Sequence, residues 1–286
     1  MLEPIATALP DPPLLIQQLQ PALPQFKQIE WFERTASTNA DLLGKARNNE
    51  LQLARPWLLG AHLQDEGRGR AGRTWQNRAG ANLMFSCAFD AFVPLQLLPS
   101  LSPIAGIAAC EALRGLLEPD QRRHLAMKWP NDLQWKGAKL AGILVETTRA
   151  GTSRLSADHY VAIMGIGINL NDARALSQSL NRQVADWAEV AACDALAAAT
   201  PLHKLVSAIA QAWYEALNAL ISEGFHAFPV RHAAVDALAG QHVNILDEGR
   251  IINAGIACGI NKLGQLLLRT PDGETSVTVG DVSVRP

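Results

Sequence analysis

Short apolar runs, many of them alternating with polar positions, recur along most of the chain and are punctuated by Gly, Pro, Asn and Asp. This pattern predicts strands over 28–34, 57–63, 82–89, 125–129 and 160–170, with a hairpin formed by 133–135, a Lys136-Gly137 turn and 139–147. Helical spacing marks 100–117, through Ile104, Ile107, Ala108, Leu113 and Leu116. It also marks 202–222, through Leu205, Ile209, Trp213, Leu217 and Leu220. Ser37-Thr38-Asn39 reads as a helix start running to about Asn48, because small polar side chains cap free backbone N–H groups. A short helix is predicted over 13–20 within a proline-rich beginning, and the Ala-rich stretch 188–200 reads as packed helix or its connection. Beyond about 236 the texture changes. Short strands alternate with turns at Asp247-Glu248-Gly249, Asn261 to Gly264 and Pro271-Asp272-Gly273, which predicts a small β-barrel joined through a hinge at 223–236.

A length of 286 residues, 48% hydrophobic and 18% charged, suits one large domain with a smaller one and argues against disorder. The net charge of −2 gives no global attraction to nucleic acid or to anionic membranes, so an anion site must be local. The four cysteines are scattered with no Cys-x-x-Cys pair, which fits a reduced cytoplasm and no zinc cage or disulfide framework. The N-terminus lacks the pattern of a signal peptide, and no uninterrupted apolar run reaches membrane-spanning length. His62, His124 and His159 fall in or beside apolar strands and read as structural.

The densest chemistry is Gly67-Arg68-Gly69-Arg70-Ala71-Gly72-Arg73-Thr74-Trp75. Glycines allow close backbone approach, and guanidiniums grip carboxylate and phosphate. The run matches G-x-G-x-x-G, but no helix pattern follows it, so a dinucleotide fold is disfavoured and a loop for anions is expected. Lys128-Trp129-Pro130-Asn131-Asp132 is either an ordinary turn or a site; turn chemistry accounts for Pro130 to Asp132 but not for Lys128 or Trp129. Taken alone, Lys139 is a snorkelling lysine opening the strand to Glu146, and Gly165-Ile166-Gly167-Ile168-Asn169 is a tightly packed strand ending at a turn.

Together and in this order, these motifs resemble the biotin protein ligase family over about residues 28–286. The resemblance implies an α+β fold: a mixed sheet flanked by helices, with a small C-terminal SH3-like barrel. It divides the chain into a Pro-rich extension (1–27), a catalytic domain (28–235) and the barrel (236–286). It implies activation of biotin with Mg-ATP to biotinyl-5′-AMP and transfer to one lysine of a biotin carboxyl carrier domain, as in acetyl-CoA carboxylase. Neither nucleic acid nor membrane is expected as a partner. Too few residues precede Ser37 for an N-terminal DNA-binding domain, so the short monofunctional form is expected. Biotin contacts are then expected from Ser37, Thr38, Asn39, Gln64, Arg68, Gly69, Arg70, Lys139 and Gly142. Nucleotide contacts are expected from Arg70, Arg73, Trp75, Lys128, Asn131 and Asn169. Arg70, Lys139 and Asp132 would serve the chemistry, and Mg²⁺ would arrive with ATP on ligands the sequence does not name. Asp65-Glu66 and the approximate Gly280-Asp281-Val282-Ser283 depart from the family's commonest pattern. A lipoate–protein ligase, a non-catalytic biotin or nucleotide sensor and a dinucleotide oxidoreductase are the rival readings.

Overall fold

The computed structural model describes residues 9–48, 55–149, 156–247, 250–278 and the backbone of 283–285. The expected turn at 248–249 and the stretch 280–282 lie outside the described residues.

Helix α1 (Pro12–Ala22) opens the chain and is followed by β1 (Gln28–Thr35), α2 (Thr38–Asn48), β2 (Trp57–Gln64) and β3 (Asn82–Phe92). Then come α3 (Leu101–Arg114), β4 (Leu125–Lys128), β5 (Asp132–Trp135), β6 (Ala138–Thr148) and β7 (His159–Asn169). These strands form one seven-stranded sheet in the order β1-β2-β3-β7-β6-β5-β4. Only β1 and β2 run parallel, so the sheet is mixed as expected.

Strand alternation decides what each face carries. In β7, Ala162, Met164, Ile166 and Ile168 enter the main core, while Val161 and Ile163 meet Leu42 and Ala46 of α2 on the other face. The main core is filled by α3, whose residues 101–110 are all buried, and by α1 through Leu15, Leu19 and Leu23. It is completed after α4 (Ala173–Leu180), α5 (Trp187–Cys193) and α6 (Ala195–Ala199) by α7 (Leu202–Glu223), whose Trp213 donates its indole N–H to the Ala105 carbonyl at 2.9 Å. Each large apolar side chain fully buried here contributes roughly 1.5–3 kcal/mol. The stretch Leu95–Arg114 is the one among the described residues long and apolar enough to cross a membrane, and α3, its main part, is buried in this core. Cys87 and Cys110 are buried as well. Desolvation pushes the first thiol well above its ordinary value and the second up to about 12, so both are inert apolar fillers.

The segment expected as a hinge is partly helical: α8 (Phe228–Val235) packs on α3. Gly224, Phe225 and Pro229 break the helical pattern in sequence, yet Phe228 and Val235 are buried and hold the helix in place. The chain then crosses the open edge of β4, where the Ala237 amide donates to the Met127 carbonyl at 2.9 Å. Beside this crossing, burial pushes the His232 imidazole below its ordinary value and the Asp236 carboxyl above its own. The remaining strands, β8 (His242–Asp247), β9 (Arg250–Ile260), β10 (Leu266–Thr270), β11 (Gly273–Val277) and β12 (Ser283–Arg285), make a second, antiparallel sheet in the order β11-β10-β9-β8-β12. Val243, Ile245, Ala257, Leu266 and Leu268 line its inner face. No pairing between β11 and β12 closes it among the described residues.

Candidate functional site

Register puts Ser86 opposite Gly165, Gly165 opposite Leu144, and Gly142 opposite Gly167. All five therefore share the face that carries α2. Four of the five are Ser or Gly, so beyond the end of α2 the sheet has a shallow floor. Above it lies a cleft of about 910 Å³. Its walls are the start of α2, the 65–80 loop, the turn between β4 and β5, and residues 180–183 at the end of α4 and just beyond it.

One end of the cleft is buried and neutral. Ser37, Thr38 and Asn39 are each less than 5% exposed. The Thr38 amide donates to Gln64 Oε1 at 2.8 Å, and Thr38 Oγ1 lies 2.7 Å from Ser86 Oγ. Ser86 Oγ donates to Asn39 Oδ1 at 2.6 Å, and Asn39 Nδ2 donates to Glu146 Oε2 at 2.8 Å. A Cβ on Gly165 would stand 2.1 Å from Asn39 Oδ1, so only glycine leaves room for this chain.

The other end is cationic. The 65–80 loop is a ribbon rather than an irregular coil: the Gly69 amide donates to the Arg73 carbonyl and the Trp75 amide to the Gly67 carbonyl, at 2.7 and 2.8 Å. Its tip turns through Ala71 and Gly72, with φ of 55° and 68°. Asn77 fastens its base by accepting from the Gln64 amide and donating to the Gln64 carbonyl, both at 2.9 Å. Arg68 meets Glu146 at 3.3 Å, and Arg70 donates to Asn131 Oδ1 at 3.2 Å. Across the cleft, Lys139 Nζ pairs with Asp132 Oδ1 at 2.5 Å and lies 5.8 Å from the Trp75 ring. Lys128 and Arg73 also line this end. Trp75 rests on the glycine floor, since a Cβ on Gly167 would come within 2.5 Å of its indole.

A neutral hydrogen-bonding socket and a cluster of cations on one continuous floor suit a ligand with a polar uncharged head and an anionic tail. Residues 31–169 match the model of the biotin/lipoate A/B protein ligase family, and residues 239–285 match that of the biotin protein ligase C-terminal domain. The chain is 30% identical over 276 residues to a biotin–[acetyl-CoA-carboxylase] ligase of Mycobacterium tuberculosis, covering 95% of this chain and 96% of that one. It is 33% identical over 257 residues to the corresponding ligase of Paracoccus denitrificans, covering 87% and 97%. The chain belongs to the biotin protein ligase family. Among solved structures, the Aquifex aeolicus biotin protein ligase in complex with biotin and ATP superposes with a TM-score of 0.69 at 27% identity, covering 91% of this chain and 99% of that one. Against the bifunctional ligase/repressor of Escherichia coli, at 30% identity over 225 residues, the match covers 79% of this chain and 65% of that protein.

Nearly all the residues expected from the biotin ligase resemblance line the one cleft: Ser37, Thr38, Asn39, Gln64, Arg68, Gly69, Arg70, Arg73, Trp75, Lys128, Asn131, Asp132, Lys139 and Gly142. Asn169 is placed differently. It is 2% exposed, and its Nδ2 donates to the carbonyls of Lys139 and Ala185 at 3.3 and 3.1 Å, so in this structure it holds the backbone under Lys139. Trp129 borders the cleft and is also an anchor: it is 1% exposed and donates its indole N–H to the Gly264 carbonyl, in the turn between β9 and β10, at 3.0 Å. Its neighbours Lys128 and Asn131 are thereby held at the cationic end. The motifs do not assign Ser86 or Glu146 a role, nor do they reach Arg182 and Gln183 on the rim. The signal for Ser86 is a lone hydroxyl inside the apolar run Leu83 to Phe89.

Proposed function

We propose that this chain is an ATP-dependent biotin protein ligase that activates biotin to biotinyl-5′-AMP and transfers it to one lysine of a biotin carboxyl carrier domain. The observation that carries the reading is the polarity of the cleft, neutral and buried at Thr38 and cationic at Arg70 and Lys139, in a chain whose relatives are biotin ligases along almost their full length. A cyclic urea needs donors and acceptors without charge, which Ser37, Thr38, Asn39 and Gln64 supply. The valerate chain would then run along Gly142 and Leu144 toward the cations.

Activation brings the biotin carboxylate against the α-phosphate of ATP. Two unit charges about 4 Å apart repel by roughly 4 kcal/mol at an effective dielectric near 20. Arg68, Arg70 and Lys139 offset that repulsion. Arg70 and Lys139 also stabilise the charge that builds on the phosphoryl oxygens, and no covalent enzyme intermediate is needed. The donor set here is one carboxylate, Asp132, already paired with Lys139, and no group of three metal-ligating side chains occurs among the described residues. That set fits a Mg²⁺ held by the triphosphate and its own waters. The metal supplies charge neutralisation when bound. Trp75 offers a face for adenine, while Arg73, Lys128 and Asn131 bind the rest of the nucleotide.

In the transfer step the carrier lysine must lose a proton from a group whose free pKa is about 10.4. Asp132 orients that amine and takes up its proton or passes it to water, while the nitrogen attacks the biotinyl carbonyl, the acyl C–O bond breaks and AMP leaves. The ribbon over the site shields the labile mixed anhydride from water. The domain division at about 28, 236 and 286 follows the same reading, as does a cytoplasmic location beside ATP and the carboxylase. Transfer of labelled biotin to a purified carrier domain, with and without ATP, tests the proposal. Label on the carrier only when ATP is present is the expected outcome. No transfer, or pyrophosphate exchange driven by lipoate and not by biotin, would overturn it.

A further inference from the structure

Glu146 stands at the far end of the motif that begins with Lys139, two strand positions beyond Leu144, and its side chain is about one quarter exposed. A single oxygen of its carboxylate, Oε2, receives Asn39 Nδ2 at 2.8 Å and Arg68 Nη2 at 3.3 Å. One side chain thus joins the floor of the neutral socket to the cationic ribbon. Resting on the reading of the cleft as the biotin site, we infer that Glu146 is a positioning residue that fixes the donor–acceptor polarity of the socket.

The polarity follows from counting hydrogens. A carboxylate only accepts, so Asn39 must turn its NH₂ toward Glu146 and its carbonyl oxygen toward Ser86. Ser86 then spends its one hydrogen on Asn39 Oδ1. The 2.7 Å contact between Thr38 and Ser86 must use the hydrogen of Thr38. Gln64 Oε1 accepts from the Thr38 amide at 2.8 Å, and it lies farther from Thr38 Oγ1, at 3.2 Å, than Ser86 Oγ does. Thr38 Oγ1 is left presenting lone pairs to the cleft it lines, which is the correct sign for a ureido N–H. With a neutral amide in place of the carboxylate, only the 3.4 Å bond from Asn39 Nδ2 to the Leu144 carbonyl still favours this orientation, so Asn39 can turn over and the chain of hydrogens can reverse. Thr38 would then point a hydrogen at the ligand's own N–H. A buried donor facing a donor loses a hydrogen bond and leaves both groups desolvated.

The test is steady-state biotinylation by Glu146→Gln, a change that keeps side-chain volume and removes the charge. The KM for biotin rises about tenfold, the cost of a buried donor left facing a donor, while kcat and the KM for ATP stay within about twofold. Ser86→Ala interrupts the same chain one link further on and gives a similar biotin-specific rise. Because both changes disable one chain, the double variant is no worse than about twofold beyond the weaker single variant. A biotin KM unchanged in Glu146→Gln, an equal rise in the KM for ATP, or single-variant effects that multiply in the double variant would each overturn the inference. Biotin-dependent ATP–pyrophosphate exchange by the unaltered chain is measured alongside. Its absence would count against the ligase reading itself, whereas its presence with an unaffected Glu146→Gln would count against Glu146 alone.

Discussion

The two ends of the cleft are built on opposite principles. At the neutral end, Thr38, Asn39 and Ser86 are buried and hydrogen-bonded to one another before any ligand arrives. At the other, Arg73 and the ribbon tip at Ala71 and Gly72 stand in solvent, with the turn bent through left-handed backbone. Burial makes the first end selective, since a mismatched group there would strand desolvated donors and acceptors. Exposure leaves the second end room to accommodate a triphosphate, and its cations act strongly once a bound ligand excludes water from them. In the function proposed above, recognition of biotin falls to the buried end and catalysis to the exposed one.

That division can be broken in order of expected effect. Lys139→Ala removes a cation from the reacting centre, and biotin-dependent ATP–pyrophosphate exchange should fall about 100-fold or more while direct biotin binding changes little. Equal losses in both would merge the two ends. Arg70→Gly leaves the socket intact and loosens the ribbon, so biotinyl-5′-AMP should dissociate roughly 10- to 100-fold faster and label exposed lysines less selectively. A dissociation rate equal to that of the unaltered chain would remove the clamp from the account. The floor glycines sharpen the contrast. Gly165→Ala drives a methyl into Asn39 and should raise the biotin KM about tenfold with the ATP KM unchanged. Gly167→Ala meets the Trp75 indole instead and should raise the ATP KM by a similar factor with little effect on biotin. The smallest effect is expected of Trp129→Phe. It deletes the hydrogen bond to the Gly264 carbonyl, and calorimetry should show a melting midpoint lower by about 2–4 °C with both KM values retained.

The strands of the first sheet were legible because their apolar runs are long and bounded by turn residues. The cleft motifs were legible because cations, glycines and amides in apolar surroundings lack a packing role. What the sequence concealed depends on partners distant in the chain. Turn chemistry leaves Trp129 unexplained until its indole nitrogen is seen to donate to the Gly264 carbonyl. The hydrogen bonds of Asn169 to the Lys139 and Ala185 carbonyls join residues 30 and 16 positions away, which no local pattern signals. Helix α8 is masked by Gly224 and Pro229 and exists through its packing on α3. Ser86 and Glu146 belong to no contiguous pattern with Asn39, and only strand pairing places them on one face.

The most direct test of the assigned polarity is a crystal structure of the chain with a non-hydrolysable analogue of biotinyl-5′-AMP. The account predicts the ureido ring against Thr38, Ser86 and Gln64, the phosphate between Arg70 and Lys139, and adenine beside Trp75. An analogue bound in the reverse direction, or bound with the guanidiniums of Arg68 and Arg70 pointing into bulk solvent, would contradict it.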